Sequence, residues 1–311
     1  MVKVKDFKWH DGMSVSDLVE GFGQIGFQSV ELAKAKDVIV KMKKDNSKIF
    51  LTFTSNMVTS GLRGFFAQLV ELGIPNFLVT TAGAIEEDIM KATGEDFKIG
   101  SFDSDDVELY EKGINRVGNL MINTESYMNF EDWIVAFLEK AYIKKKKWSV
   151  SELLKEIGLN LNDENSILYQ AAKKDVPIFC PAITDAGIGF HLYLFQQKHK
   201  DFIIDVVEDF GNILLSVGFD DKKAVIALGG SISKHHAILA TLLNGGAEYA
   251  VYMTTANKTS GSMSGATTSE AKSWGKVKDE SDVATVIGDV SIMFPLAMIG
   301  ALEELKKDGL I

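Results

Sequence analysis

The chain has 311 residues, with 33 lysines and arginines against 43 aspartates and glutamates, and a net charge of −10 with histidines neutral. That balance argues against a nucleic-acid binder, because displacing phosphate counterions needs a basic face; it suits a cationic ligand better. At 46% hydrophobic residues the chain is too apolar for disorder. Its single cysteine, Cys180, rules out an intrachain disulfide and points to a reducing compartment.

Met1–His10 has no apolar core of a secretory leader. The first β-rich run, Ile49–Phe53, ends in Thr54, Ser55 and Asn56. Leu62, Phe65, Phe66, Leu69 and Val70 then share one helical face that stops at Gly73. The second run, Asn76–Thr80, leads into Thr81, Ala82 and Gly83. Glu86, Glu87 and Asp88 follow at the expected start of a helix; they fit either a first turn complementing the helix dipole or a carboxylate pair gripping a cation. The lysine run 144–147 reads as a solvated helix end rather than a nucleic-acid patch. Ser149 and Glu152 form a capping box opening the helix of Leu153, Leu154 and Ile157. The third run, Val176–Cys180, ends in Thr184 and Asp185, and Phe202–Val217 is expected to be helical. The fourth run, Ala224–Leu228, meets Gly229 and Gly230 before a helix over Ile238–Leu243. The fifth, Tyr249–Met253, ends in Thr254, Thr255 and Ala256, and the sixth, Asp282–Ile287, in Gly288 and Asp289. Val290–Leu302 is apolar but too short to span a bilayer, and it contains Pro295.

The strands are nearly continuous apolar runs, the pattern of a parallel sheet covered on both faces, and their alternation with helices predicts a doubly wound α/β fold. No Pro/Ser-rich linker divides the chain, so one domain spanning 1–311 is expected. Small, polar and glycine residues gather where the strands end, which is where ligands of open α/β sheets bind; turn chemistry also puts such residues there.

The common nucleotide fingerprints fail: no G-x-G-x-x-G follows a strand and no G-x-x-x-x-G-K-[ST] occurs. Bound phosphates would need hydroxyls and backbone N–H groups such as those of Ser55, Thr59 and Thr81. The five histidines and one cysteine lack metal-ligand spacing, so no metal is expected. His235, after Gly229 and Gly230, is either structural or a base at a helix start. A Gly/Ser-rich loop leads through Glu270 to Trp274, Gly275 and Lys276. A lysine desolvated beside Trp and Gly could act as a neutral amine nucleophile; spacing alone equally describes a surface lysine.

Longer strings carry more. Phe22-Gly-Gln-Ile-Gly-Phe-Gln28, Thr54-Ser-Asn-Met-Val-Thr-Ser-Gly-Leu-Arg63, Val79-Thr-Thr-Ala-Gly83 with Glu86, Glu87 and Asp88, and Gly113-Ile-Asn-Arg-Val-Gly-Asn119 come first. Phe130-Glu-Asp-Trp133, Pro181-Ala-Ile-Thr-Asp185, Leu228-Gly-Gly-Ser-Ile-Ser-Lys-His-His236, Tyr249-Ala-Val-Tyr252 and Glu270-Ala-Lys-Ser-Trp-Gly-Lys276 complete the set. In this order they resemble deoxyhypusine synthases over nearly the whole chain.

The resemblance implies a Rossmann-like, NAD-dependent transferase, cytoplasmic and homotetrameric, with active sites at a subunit interface. Such enzymes oxidise spermidine, pass its aminobutyl group to an enzyme lysine as an imine, release 1,3-diaminopropane, and deliver the group to one lysine of the translation factor 5A precursor. By position, Lys276 matches the imine-forming lysine and His235 the amine-binding histidine that can take a proton. Glu86, Gly261, Ser262, Glu270 and Trp274 match polyamine-site positions. Ser55, Asn56, Thr59, Thr81, Ala82, Gly83, Glu87, Asp185, Gly230, Thr255, Ala256 and Asp289 match NAD contacts.

Three positions depart from the pattern: Phe190 where an Asp is usual, Ser260 where an acid often precedes Gly-Ser-x-Ser-Gly, and Leu239 for an Asn. The two lost acids lie near the polyamine positions. Little sequence before Phe7 is available for a long N-terminal arm. Two alternatives remain beside the main reading: a homospermidine-synthase-like or other polyamine aminobutyltransferase, and a catalytically silent NAD-binding paralogue.

Overall fold

The computed structural model describes residues 3–311. It is an α/β protein with a mainly parallel sheet and helices on both faces, as the apolar runs predict. The chain divides into two compact units.

The first unit comprises residues 1–53, 72–79 and 211–311. Its strands lie in the order Val277–Ile287, Ala247–Thr254, Lys223–Leu228, Lys48–Thr52, Phe77–Val79, every pair parallel. The central strand Lys223–Leu228 is buried along its whole length, which explains a run with no polar alternation. Helix Val290–Lys307 buries Phe294, Ala297, Met298, Ala301 and Leu305, a stripe at helical spacing. It packs on helix Gln28–Lys44, where the buried Lys36 ammonium lies 2.6 Å from Glu304. Helix Ser231–Leu243 packs over strands Lys48–Thr52, Phe77–Val79 and Lys223–Leu228. Among the described residues no helix is long and apolar enough to cross a membrane.

The second unit comprises residues 54–71 and 80–210. It is mostly helical, with an antiparallel sheet of Phe97–Ile99, Leu120–Asn123 and Ile114–Val117 and a parallel pair, Lys147–Ser149 with Ile203–Asp205. The capping box forms as the sequence predicts: the Ser149 hydroxyl accepts from the Glu152 amide and the Glu152 carboxylate from the Ser149 amide, opening helix Val150–Leu159. Three lysines of the run are ion-paired, Lys144 with Glu156, Lys145 with Glu152, and Lys147 with Asp205 and Glu208, while Lys146 lies over the Tyr142 ring.

Two local expectations fail. Phe202–Val217 is not all helix: Ile203–Asp205 is a strand paired with Lys147–Ser149, and the helix is Val206–Leu215. An apolar run gives no sign of where extended backbone yields to helix; the break is set by Asp205, whose carboxylate accepts from the amides of Val207 and Glu208. Glu86, Glu87 and Asp88 also lie past the first turn of their helix, Ala82–Ala92, so the dipole reading does not account for them.

Asp88 is instead the polar hub of the second unit. Fully buried, it accepts from Arg63 Nε at 2.5 Å, the Ser166 hydroxyl at 2.9 Å and the Leu168 amide at 2.8 Å, while Arg63 Nη2 reaches Asp163 at 2.6 Å. Removing one member leaves a buried charge without its partner. Asp88→Ala is therefore expected to destabilise the protein by about 3–5 kcal/mol, read as a shift of the urea midpoint; a loss below about 1 kcal/mol would show the hub to be dispensable.

Candidate functional site

In the second unit, the residues expected around a nucleotide come together at one helix start. Helix Ala82–Ala92 opens at Thr81 with no side-chain cap; the Ala84 amide donates to the Thr81 carbonyl at 3.1 Å, which leaves the amides of Ala82 and Gly83 to be met by a ligand. The Thr81 hydroxyl instead accepts from the Ser55 amide at 3.1 Å. A side chain at Gly83 would press on Ser55, whose Cβ lies 3.1 Å from where the new Cβ would stand. The Thr59 hydroxyl reaches both the Ser55 carbonyl, at 3.1 Å, and the Glu87 carboxylate, at 2.5 Å. Asn56 and Asp185 are exposed.

Glu86 and Glu87 are both buried. Glu86 Oε2 accepts from the Ile188 amide at 2.7 Å, at the start of helix Gly187–Lys198. Burial raises its carboxyl above the ordinary range, against the backbone bonds to Ile188 and Gly187. Burial lifts Glu87 further, to about 7, opposed by Thr59 and Lys91 and assisted by Glu86. Two neighbours were not singled out from the sequence. Lys91 donates to the carbonyls of Val58 at 2.7 Å and Thr59 at 3.1 Å. The half-buried Tyr127 phenol is pushed up to about 12 by burial and then by the charges of Glu87 and Glu86. Neither carries a sequence signal, because their relevance comes only from helix packing.

In the first unit, the strand ends supply the other expected positions. Gly229 has φ +80° and Ser231 φ +65°, so the turn between strand Lys223–Leu228 and helix Ser231–Leu243 uses left-handed backbone twice. That helix also starts without a side-chain cap. Thr255 and Ala256 follow strand Ala247–Thr254 and line a cavity of about 860 Å³ with Lys34 and Lys258. Asp289 caps helix Val290–Lys307, accepting from the Ser291 amide at 2.8 Å.

Lys276 is not on this rim. Its carbonyl accepts from the Ala247 amide at 3.0 Å, at the amino end of the strand, and its amide donates to Ala271 at 3.1 Å. Helix Ser231–Leu243 spans the difference. Its thirteen residues extend about 20 Å, from Gly230 down to Leu242, which approaches Gly275. Gly275, with φ +69°, makes the turn that presents the lysine. Lys276 is half-buried, and its ammonium lies 4.8 Å from the centroid of the exposed Trp274 ring. Glu270 is exposed on helix Thr268–Ser273, His235 is exposed, and its neighbour His236 turns inward. Gly261 and Ser262 are exposed on the loop between.

Within each unit, a helix start without a side-chain cap can offer amides to a phosphate, and the first unit's cavity is in the volume range of cofactor pockets. Of the positions expected around NAD, Ser55, Asn56, Thr59, Thr81, Ala82, Gly83, Glu87 and Asp185 lie in the second unit, and Gly230, Thr255, Ala256 and Asp289 in the first.

Glu87 sets a pH dependence whose sign is fixed. Its folded value lies above its ordinary 4.5, so the stability it contributes is complete below that pH and lost as pH rises to about 7. Glu86 acts in the same direction. Glu87→Gln is expected to reduce the loss of unfolding free energy between pH 4.5 and 7.5 by roughly 3 kcal/mol, measured by denaturation across that range. Equal slopes for the two proteins would refute the assignment.

Comparison with known proteins agrees with the residue strings. A family model described as deoxyhypusine synthase matches residues 17–301. A Thermoplasma volcanium protein named "Probable deoxyhypusine synthase" is 40% identical over 298 residues, covering 95% of this chain and 96% of its own. The Neurospora crassa "Deoxyhypusine synthase" is 37% identical over 329 aligned positions, covering 99% and 92%. A crystal structure from Entamoeba histolytica superposes with a TM-score of 0.69 at 28% identity, covering 96% of this chain and 97% of that one. The chain belongs to the deoxyhypusine synthase family.

Proposed function

We propose that this protein transfers the aminobutyl group of spermidine, through an imine on Lys276, to a lysine of the translation factor 5A precursor. The observation that carries the reading is the placement of Lys276: half-buried, its amine against an indole face, on a turn that only a residue tolerant of left-handed backbone makes easily.

The chemistry divides among the chain's own residues. The Lys276 amine attacks the imine carbon of the oxidised donor, and 1,3-diaminopropane leaves as the carbon–nitrogen bond breaks. The aminobutyl imine on Lys276 is then taken over by the acceptor lysine, regenerating the free amine. The Trp274 ring favours a cation at that position, so it serves the protonated imine as well as the ammonium. His235, exposed in the second turn of its helix, takes the proton that the attacking amine must lose. By family position, Glu86, Gly261, Ser262 and Glu270 are the polyamine anchors. The oxidation of spermidine and the reduction of the product imine are hydride transfers that NAD would supply, held by the positions assigned to it above. Homotetramer formation with interface active sites is part of this reading, from family membership alone.

Borohydride added to protein, spermidine and NAD should attach an aminobutyl group to the Lys276 peptide, seen by mass spectrometry. Lys276→Ala should abolish the adduct. Binding of NAD without any adduct would sink the transferase reading and favour a silent NAD-binding paralogue. An adduct that passes to putrescine and not to the factor precursor would favour the homospermidine-type alternative.

A further inference from the structure

Lys234 is a buried ammonium that the chemistry above does not use. Only 5% of it is exposed, and no carboxylate pairs with it. A lysine is almost never fully buried without a partner unless the site has a use for it. Its Nζ donates a 2.9 Å hydrogen bond to the carbonyl of Ala266 and lies 4.3 Å from the ring centroid of Tyr252, itself buried. Burial lowers its ionisation to about 8, opposed by the charge of Glu270 and assisted by that of Lys276.

Ala266 closes the segment that runs from Thr255 through Gly261 and Ser262. The same segment is seated once more on the same helix: a Cβ at Gly230 would stand 2.1 Å from the Ser264 hydroxyl, so only glycine admits the approach. Within the segment, a Cβ at Gly265 would strike the Asn257 carbonyl at 2.3 Å, so its two ends are packed together. Residues 257–263, by contrast, are exposed. The segment therefore has a fixed base and a free tip, and the Lys234 side chain ties the base to helix Ser231–Leu243.

We infer that Lys234 is a positioning residue: its hydrogen bond to Ala266 holds the 255–266 segment against the helix that carries His235, so that Gly261 and Ser262 stand ready for the amine substrate. It touches neither substrate nor cofactor and acts through the segment. The assignment of Gly261 and Ser262 rests on the proposed function; the tether does not.

The test compares wild type with Lys234→Met, which keeps the length and removes the donor, and Lys234→Arg, which restores a cationic donor. Hydrogen exchange of ligand-free full-length protein is read on peptides covering 255–266 and, as a control, 223–228. The Met variant should exchange about tenfold faster or more in the segment alone, the factor matching a lost charge-assisted hydrogen bond, and the Arg variant should recover part of that protection. With spermidine and NAD, the Met variant should raise KM for spermidine by a similar factor while kcat stays within about threefold. If Lys234→Met does not fold, Lys234→Gln, an uncharged donor, takes its place with the same readouts. Unchanged exchange in 255–266, or a fall in kcat at constant KM, would overturn the inference. Faster exchange in a protein whose wild type makes no Lys276 adduct would leave the tether standing and remove the transferase reading.

Discussion

The backbone approach at Gly230 governs the first unit. Strand Lys223–Leu228 must turn into helix Ser231–Leu243 within Gly229 and Gly230, and the Ser264 hydroxyl occupies the place a side chain at Gly230 would need. Two consequences follow. The helix starts with bare amides rather than a capped first turn, which makes its amino end a place for an anion. And the 255–266 segment comes close enough to the same helix for a buried lysine to reach it. An added methyl at Gly230 would disturb both at once. The positive φ at Ser231, unusual for a residue with a side chain, is the strain this tight turn stores.

The sheet was legible because parallel strands buried on both faces cannot alternate polar and apolar residues. Lys223–Leu228 and Lys48–Thr52 are nearly continuous apolar runs for that reason, and their ends could be placed within a residue or so. The capping box at Ser149 was legible because its two hydrogen bonds are local. What depended on distant pairing was not. The strand Ile203–Asp205 exists because Lys147–Ser149 lies beside it, and nothing in Phe202–Val217 announces that neighbour. The location of Lys276 was hidden for a similar reason. The strand-end argument finds residues on the carboxyl rim, whereas this lysine sits at the amino end of the same strands and is related to the rim only through a helix that runs back along them. Lys234 and Tyr127 show no pattern at all, since burial rather than spacing makes each unusual.

The acidic helix of the second unit divides three adjacent carboxylates among three environments. Asp88 is satisfied by an arginine, a hydroxyl and an amide and serves the fold. Glu86 is held by the amide of Ile188 at a helix start. Glu87 has one hydroxyl and a nearby lysine charge, the weakest compensation of the three for its burial given that it also faces the Glu86 charge. A group so placed is half-ionised near neutrality, so an approaching cation or hydroxyl shifts its protonation with little cost. Three acids in a row read as one feature in the sequence; helical geometry sends them to different faces and therefore to different work.

The three departures from the family pattern share a physical property that bears on their meaning. Phe190 is 57% exposed, Ser260 is exposed and Leu239 is half-buried, so none is a core position. Substitutions that compensate for packing belong where side chains are enclosed; these do not. The Phe190 ring lies 5.8 Å from that of His191 and is otherwise turned outward. Leu239 stands one turn beyond His235 on the helix that connects the rim to Lys276, and it removes an amide from that path. Where a polycation is to be held, replacing acids and an amide by Phe, Ser and Leu weakens the grip on its charged nitrogens while leaving the lysine, its indole and the glycine turn untouched. Under the proposed function, the residues assigned to the imine are kept, and the change falls on which amine is brought to them.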